Sequence, residues 1–336
     1  MSEYEKQKRQ KMITLTVLLA LSVLFGILSL FLGRYPKAGF TSPVLFYTDS
    51  VARTILTKIR LPRVVLALAS GAMLGASGFT FQLLFSNPLV EPGFLGVSQG
   101  AAFGAALMII FAGASSLSIQ LSAMIFGLLG LVFSYYLSTR FRFGGPLLRL
   151  VLAGIAVSAF FSSGLGVIKL VAEPTKDLQD ITFWMMGGLW NASWGSIIPT
   201  LVVIAIALTI LHMNRFTLNL LSINEKTSFS LGLNPKRQRV ILLVVATVGT
   251  TFTISVTGLI GWVGLITPHI ARKTFGSEAT HALPASMVMG AFFLLLCDSI
   301  GRTILPTEIP IGLLTSLFGA LIFVLILSGK SQEGKA

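Results

Sequence analysis

Acidic residues and cysteine are scarce: the 336 residues include 12 Asp and Glu, 3 His and a single Cys. Each scarcity excludes something. Cys297 stands alone inside an apolar run, so no internal disulfide can form. His212, His269 and His281 are far apart and none lies in an HExxH pattern. No Ser-His-Asp set or carboxylate pair suggests hydrolysis inside a membrane. Asp298 is the only carboxylate well inside an apolar run, and Glu308 borders the last one. Ion-coupled carriers use ionisable groups near the bilayer midplane, so one Asp near a helix end argues weakly for coupling. The phosphate-cradling pattern GxxxxGK[ST] is absent, so the chain cannot hold ATP by that route, and another subunit has to supply any ATP it uses. No low-complexity linker divides the chain.

What remains is apolar. Hydrophobic residues make up 54% and charged residues 11% of the sequence. From Met12 onward about ten apolar runs of roughly 17 to 24 residues recur, and each is long enough to cross a bilayer core as a helix. They lie at about 12–33, 63–84, 94–113, 116–138, 149–172, 194–212, 238–257, 259–271, 281–299 and 309–328. The eighth is short and contains Pro268, which suits a partial helix. The first follows Lys6, Lys8, Arg9 and Lys11 and is too long for a signal-peptide core. Gly33-Arg34-Tyr35-Pro36 ends it in place of a cleavage site. The reading is an all-α, polytopic membrane protein with one transmembrane domain, 12–328, between an N-terminal tail, 1–11, and a C-terminal tail, 329–336.

The net charge of +13 does not point to nucleic acid, because no basic stripe with interleaved aromatics accompanies it. Its distribution sets orientation instead. Arg140, Arg142 and Arg149, then Arg215, Lys226, Lys236, Arg237 and Arg239, then Arg272 and Lys273, fall on the side of the N-terminus, predicting both termini in the cytoplasm. One basic loop, residues 34–63, falls on the other side and goes against the bias.

Small residues recur at spacing four, as in Gly71 with Gly75 and in Gly96, Gly100 and Gly104, a pattern that lets helix backbones approach closely in lipid. Three further segments carry a pattern. Asn87-Pro-Leu-Val-Glu-Pro-Gly-Phe-Leu-Gly96 forces an ordered turn. The loop 213–238 holds Ser222-Ile-Asn-Glu225, which fits a capping box, with Gly232 placed to close the short helix that follows. Gly258-Leu-Ile-Gly261-Trp-Val-Gly264-Leu-Ile-Thr-Pro268-His269-Ile-Ala-Arg272 describes a short, closely packed helix.

Read in order with Arg60-Leu-Pro-Arg63, Leu283-Pro-Ala-Ser286 and Glu308-Ile-Pro-Ile-Gly312, these segments resemble the permease family of binding-protein-dependent ABC importers for iron chelates, haem and cobalamin. The similarity runs from about Leu61 to Leu327. It implies ten helices per subunit and a homodimer in a prokaryotic plasma membrane, with the path between the two subunits. It also implies two ABC ATPase subunits that carry ATP and Mg, an external substrate-binding protein, and no cofactor, metal or catalytic residue in the permease itself. Carried over by residue, the resemblance puts Asn87 and Leu89 at a cytoplasmic gate. Glu225, Lys226, Thr227, Ser228, Leu231 and Gly232 become the helix that couples to the ATPase. Arg60, Arg63 and Arg302 become outer sites that receive acidic residues of the binding protein, which would account for the basic outer loop. Phe183, Trp184, Met185 and Met186 belong to a short helix at the outer mouth. The loop Phe143-Gly-Gly-Pro-Leu-Leu-Arg149 departs from the family, where some relatives have small hydroxyl residues. Two other classes remain open on the residues alone: a secondary transporter or channel without an ATPase, and a membrane-embedded enzyme. The first is disfavoured by the lack of midplane carboxylates, the second by the lack of a catalytic cluster.

Overall fold

A computed structural model describes residues 3–111, 115–223 and 225–328. The C-terminal tail expected at 329–336 and Asn224 of the expected capping box lie outside the described residues, as do the side chains of Glu225 and Lys226. Among the described residues the regular structure is helical apart from one two-residue hairpin ladder, Leu32–Gly33 with Gly39–Phe40. Helix α1 spans Glu3–Phe31. Short helices α2, Leu45–Thr48, and α3, Ser50–Ile55, follow, and a π-helical turn at Leu56–Arg60 leads into α4, Leu61–Leu84. Helices α5, Val97–Phe111, α6, Ser116–Arg140, and α7, Pro146–Val171, come next, then α8, Asp177–Met186, and α9, Trp194–Met213. The short pair α10, Arg215–Leu221, and α11, Glu225–Ser230, precedes α12, Pro235–Thr257, α13, Val263–Phe275, α14, Ala279–Thr303, and α15, Ile311–Ser328.

Seven of these helices are long and apolar enough to cross a membrane, and 97–111 and 311–326 are shorter apolar helices. Helix α4 is the central post: 78% of its most apolar stretch is buried, against 17% for α1 and 22% for α6. An apolar helix gains nothing by hiding Leu from lipid, so contact between spans depends on close backbone approach. Glycine supplies that here. A methyl group on Gly71 would overlap the Gly290 carbonyl of α14, and one on Gly75 would overlap that of Ser286. Gly100 and Gly104 of α5 sit in the same way against the Phe126 and Ser122 carbonyls of α6.

Two boundaries differ from the sequence reading. The eighth apolar run starts at Val263, not 259, because Gly258 and Trp262 take positive φ values of 67° and 72° and hold the residues between them out of a helix. The first helix runs from Glu3, so residues 3–11, ahead of the first apolar run, are helical too.

Candidate functional site

One end of the bundle gathers the turn after α4. Ser86 adopts a positive φ of 48°, and the Asn87 side chain accepts from the Leu89 N–H at 3.0 Å, an Asx turn that stops the chain from continuing as a helix. Asn87 and Leu89 are exposed, with Leu89 at 52%. Behind them the segment dives inward: Val90 and Leu95 are buried, and the Leu95 carbonyl accepts from Ser134 Oγ at 2.8 Å. Gly96 has φ 77°, and a Cβ there would press to 2.7 Å from Val157 Cγ1, so only glycine serves at this corner. Alongside the turn, Gln82 donates to the Leu265 carbonyl at 3.1 Å and accepts from the Arg272 guanidinium. The sequence reading did not pick out this link between α4 and α13.

The same end carries α10 and α11. Asn219 fastens the pair to the start of α14: its amide donates to Thr280 Oγ1 at 3.0 Å, and its oxygen accepts from the Ala279 N–H at 2.6 Å. Gly232, at φ 83°, closes α11 as expected. The Leu233 N–H returns to the Ser228 carbonyl at 3.2 Å and the Gly232 N–H to that of Phe229 at 2.9 Å, a Schellman motif. Thr227, Phe229 and Leu231 face outward, the last two 69% and 61% exposed. Ser228 does not: it is fully buried and its hydroxyl donates to the Leu220 carbonyl at 2.5 Å, joining α11 to α10.

At the opposite end, α8 is clamped by backbone. Gly188 N–H donates to the Thr257 carbonyl at 2.8 Å, and Ile311 N–H donates to that of Gly187 at 2.9 Å. Phe183 is 52% exposed and meets the Trp190 ring edge-on at 6.5 Å, whereas Trp184, Met185 and Met186 are half-buried. Phe183, Trp184 and Trp190 border a cleft of about 390 Å³ whose polar side holds Lys176, Asp177, Asp180 and Asn191.

The three arginines expected as an outer docking surface lie close together but not on the surface. Arg60, Arg63 and Arg302 are 4%, 5% and 7% exposed. Arg63 Nε donates to Asp298 Oδ1 at 2.7 Å, and its Nη1 reaches both oxygens of Glu308 at 2.9 and 2.8 Å. Arg302 Nε stands 3.4 Å from Asp298 Oδ2, and its terminal amine donates to the Ser29 carbonyl and hydroxyl. Arg60 donates to the Leu30 carbonyl at 3.0 Å and to Thr41 Oγ1 at 3.1 Å. A charge in an apolar interior requires a partner: Arg63 and Arg302 have Asp298, while Arg60 is held by neutral oxygens. The cluster ties α1, α4, α14 and the approach to α15 into one lock. The sequence held part of the signal: Asp298 is the only carboxylate well inside an apolar run, and Arg302 follows it by one helical turn. The exposed cations of the same segment are Lys37, Arg53 and Lys58.

The sequence can now be set beside known proteins. The family model "FecCD transport family" matches residues 18–329. A probable iron chelatin transport system permease protein of Helicobacter pylori is 39% identical over 273 residues, 81% of this chain and 82% of that one. The molybdate import system permease protein MolB of Haemophilus influenzae is 35% identical, covering 95% of this chain and 96% of its own length. A solved structure described as a metal-chelate type ABC transporter in an inward-facing conformation superposes with a TM-score of 0.84 at 33% identity, over 94% of this chain and 97% of that one. A family model that spans nearly the whole transmembrane domain, together with relatives matched along most of their length, places this chain in the FecCD transport family, as the permease of an ABC importer.

Proposed function

We propose that the chain works as one half of a homodimer whose shared path carries an iron chelate inward across a prokaryotic plasma membrane. Ten spans run with both termini in the cytoplasm: the seven long helices, the shorter apolar α5 and α15, and the 13-residue α13. Two ATPase subunits grip the cytoplasmic face at α10 and α11. Haem and cobalamin are the other members of the proposed substrate class. The observation that carries this reading is the α11 surface. A six-residue helix outside every span-length segment is fastened to α14 through α10, yet leaves Phe229 and Leu231 uncovered. Bare aromatic and aliphatic side chains beside exposed cations suit a protein partner better than lipid or water.

In this reading Asn87 and Leu89 form the cytoplasmic gate, Glu225 to Gly232 transmit ATPase movement, and Phe183 to Met186 shape the outer mouth. An external binding protein approaches Lys37, Arg53 and Lys58, whose exposure suits them to steering an acidic partner better than the three locked arginines. The deciding experiment is uptake by cells lacking the native permease gene, with ferric chelate, haem, cobalamin and molybdate offered in parallel. Restored ferric-chelate uptake that requires the ATPase is expected. Uptake of molybdate alone would overturn the substrate, and uptake without the ATPase would overturn the class of mechanism.

A further inference from the structure

A second cleft, of about 480 Å³, opens between the ends of α6, α7 and α12. Three cations line it, Arg149, Lys236 and Arg239, and no carboxylate is among its walls. The start of α7, at Pro146, is part of the wall, and α12 begins at Pro235, one residue before Lys236. Among the described residues this positive charge has no internal counter-ion, unlike at Arg63 and Arg302. Arg239 Nε is buried with no hydrogen-bond acceptor, and its Nη2 reaches only the Leu221 carbonyl, at 3.4 Å. Arg149 is held in place through its Nε alone, which donates to the Gly144 carbonyl at 2.9 Å, leaving its terminal amines for another acceptor.

Most of the remaining wall is apolar, from Leu147, Leu148, Leu150, Val240 and Leu243, with Tyr135, Ser138 and Thr139 on the α6 side. Three cations above a greasy floor, at the ends of membrane-length helices, match a molecule with a phosphate head and hydrocarbon tails. We infer that this cleft is a binding site for an anionic phospholipid, with its phosphate on Arg149, Lys236 and Arg239 and an acyl chain along Leu147 and Val240. Basic pockets between spanning helices at the headgroup level are suited to such lipids. The Phe143–Arg149 loop then serves as the near wall of a lipid seat. The site is independent of which substrate is carried.

The test is native mass spectrometry of the intact importer, released from nanodiscs that contain phosphatidylglycerol or phosphatidylcholine. The wild type should retain phosphatidylglycerol, and the triple variant Arg149→Gln, Lys236→Gln, Arg239→Gln should retain at least tenfold less. The charge-conserving variant Arg149→Lys, Arg239→Lys should keep most of it, which separates lost charge from lost folding. Equal retention by the triple variant would overturn the site. So would equal retention of phosphatidylcholine, or displacement of the lipid by millimolar inorganic phosphate, which would mark a site for a free anion.

Discussion

Arg63 Nε and Asp298 Oδ1 meet at 2.7 Å across a separation of 235 residues, in a cluster that also buries Arg60 and Arg302. Asp298 is fully buried and its other oxygen faces Arg302, so a single carboxylate answers two guanidinium groups. Removing it leaves two cations in apolar surroundings with only Glu308, itself 43% exposed in its side chain, to share. Breaking one side of a buried pair costs about 3–5 kcal/mol. Asp298→Asn should therefore lower the thermal midpoint of the detergent-purified protein sharply and reduce its yield in membranes. An unchanged midpoint would show that the lock contributes nothing to stability.

The contact of α4 with α14 should be intolerant of any added side chain. Gly75→Val would drive its methyl groups into the Ser286 carbonyl. Overpacking costs about 1–3 kcal/mol even in adaptable cores, and here the obstacle is backbone. Gly145→Ala is the control: its φ is −76° and nothing stands within 4 Å of its added methyl. Size-exclusion profiles of the two variants should separate, with aggregation in the first alone.

Glu91, in the turn between α4 and α5, brings a pH dependence. Burial of its carboxyl raises the pKa from 4.5 to about 7. A raised carboxyl pKa means that the folded state holds the proton longer than the unfolded chain does. The associated stability is complete below about 4.5 and is lost as the pH rises through about 7. Thermal midpoints should fall across that window in the wild type and stay flatter in Glu91→Gln. Parallel curves would remove Glu91 from the account.

Orientation is testable with two single-cysteine reporters in a Cys297→Ser background. Thr227 is exposed on α11 and Tyr47 is 82% exposed at the opposite end. Thr227→Cys should react with an impermeant maleimide only in inside-out vesicles, Tyr47→Cys only in intact cells or spheroplasts. The reverse pattern would invert the gate, the mouth and both partner faces. Ser228 is unsuitable as a reporter because it is buried.

Coupling through α11 depends on its uncovered residues. Phe229→Glu and Leu231→Glu place carboxylates where a partner would have to bury them, and a buried unpaired charge is strongly disfavoured. Membrane insertion should be normal in both, uptake should fall at least tenfold, and ATPase activity should no longer respond to the loaded binding protein. Normal uptake would reduce α11 to a connector.

Much of the architecture could be read directly from the residues. A span is announced by its own composition, so runs such as 116–138 and 194–212 correspond closely to α6 and α9. Glycine spacing foretold close contact at Gly71 and Gly100 because the cause, a missing Cβ, is local. What escaped depended on distant partners. Nothing near Arg63 tells whether its guanidinium faces water or Asp298, since its partner arrives more than two hundred residues later. Ser228 reads as a polar residue of an exposed helix, but its hydroxyl turns inward to the carbonyl of Leu220. The basic cleft was hidden for the same reason, with Arg149 on one helix and Lys236 and Arg239 on another.

The arginine lock also imposes an order on synthesis. Ser29, Arg60 and Arg63 leave the ribosome early, while Asp298, Arg302 and Glu308 come 235 to 273 residues later. Until then the nascent chain holds Arg63 at a helix end with no carboxylate to meet it, and Ser29 of α1 lacks its contact with Arg302. Closure therefore reports completion. A chain truncated before α14 exposes unmatched charge within its own membrane segments, and that charge distinguishes an unfinished permease from a finished one.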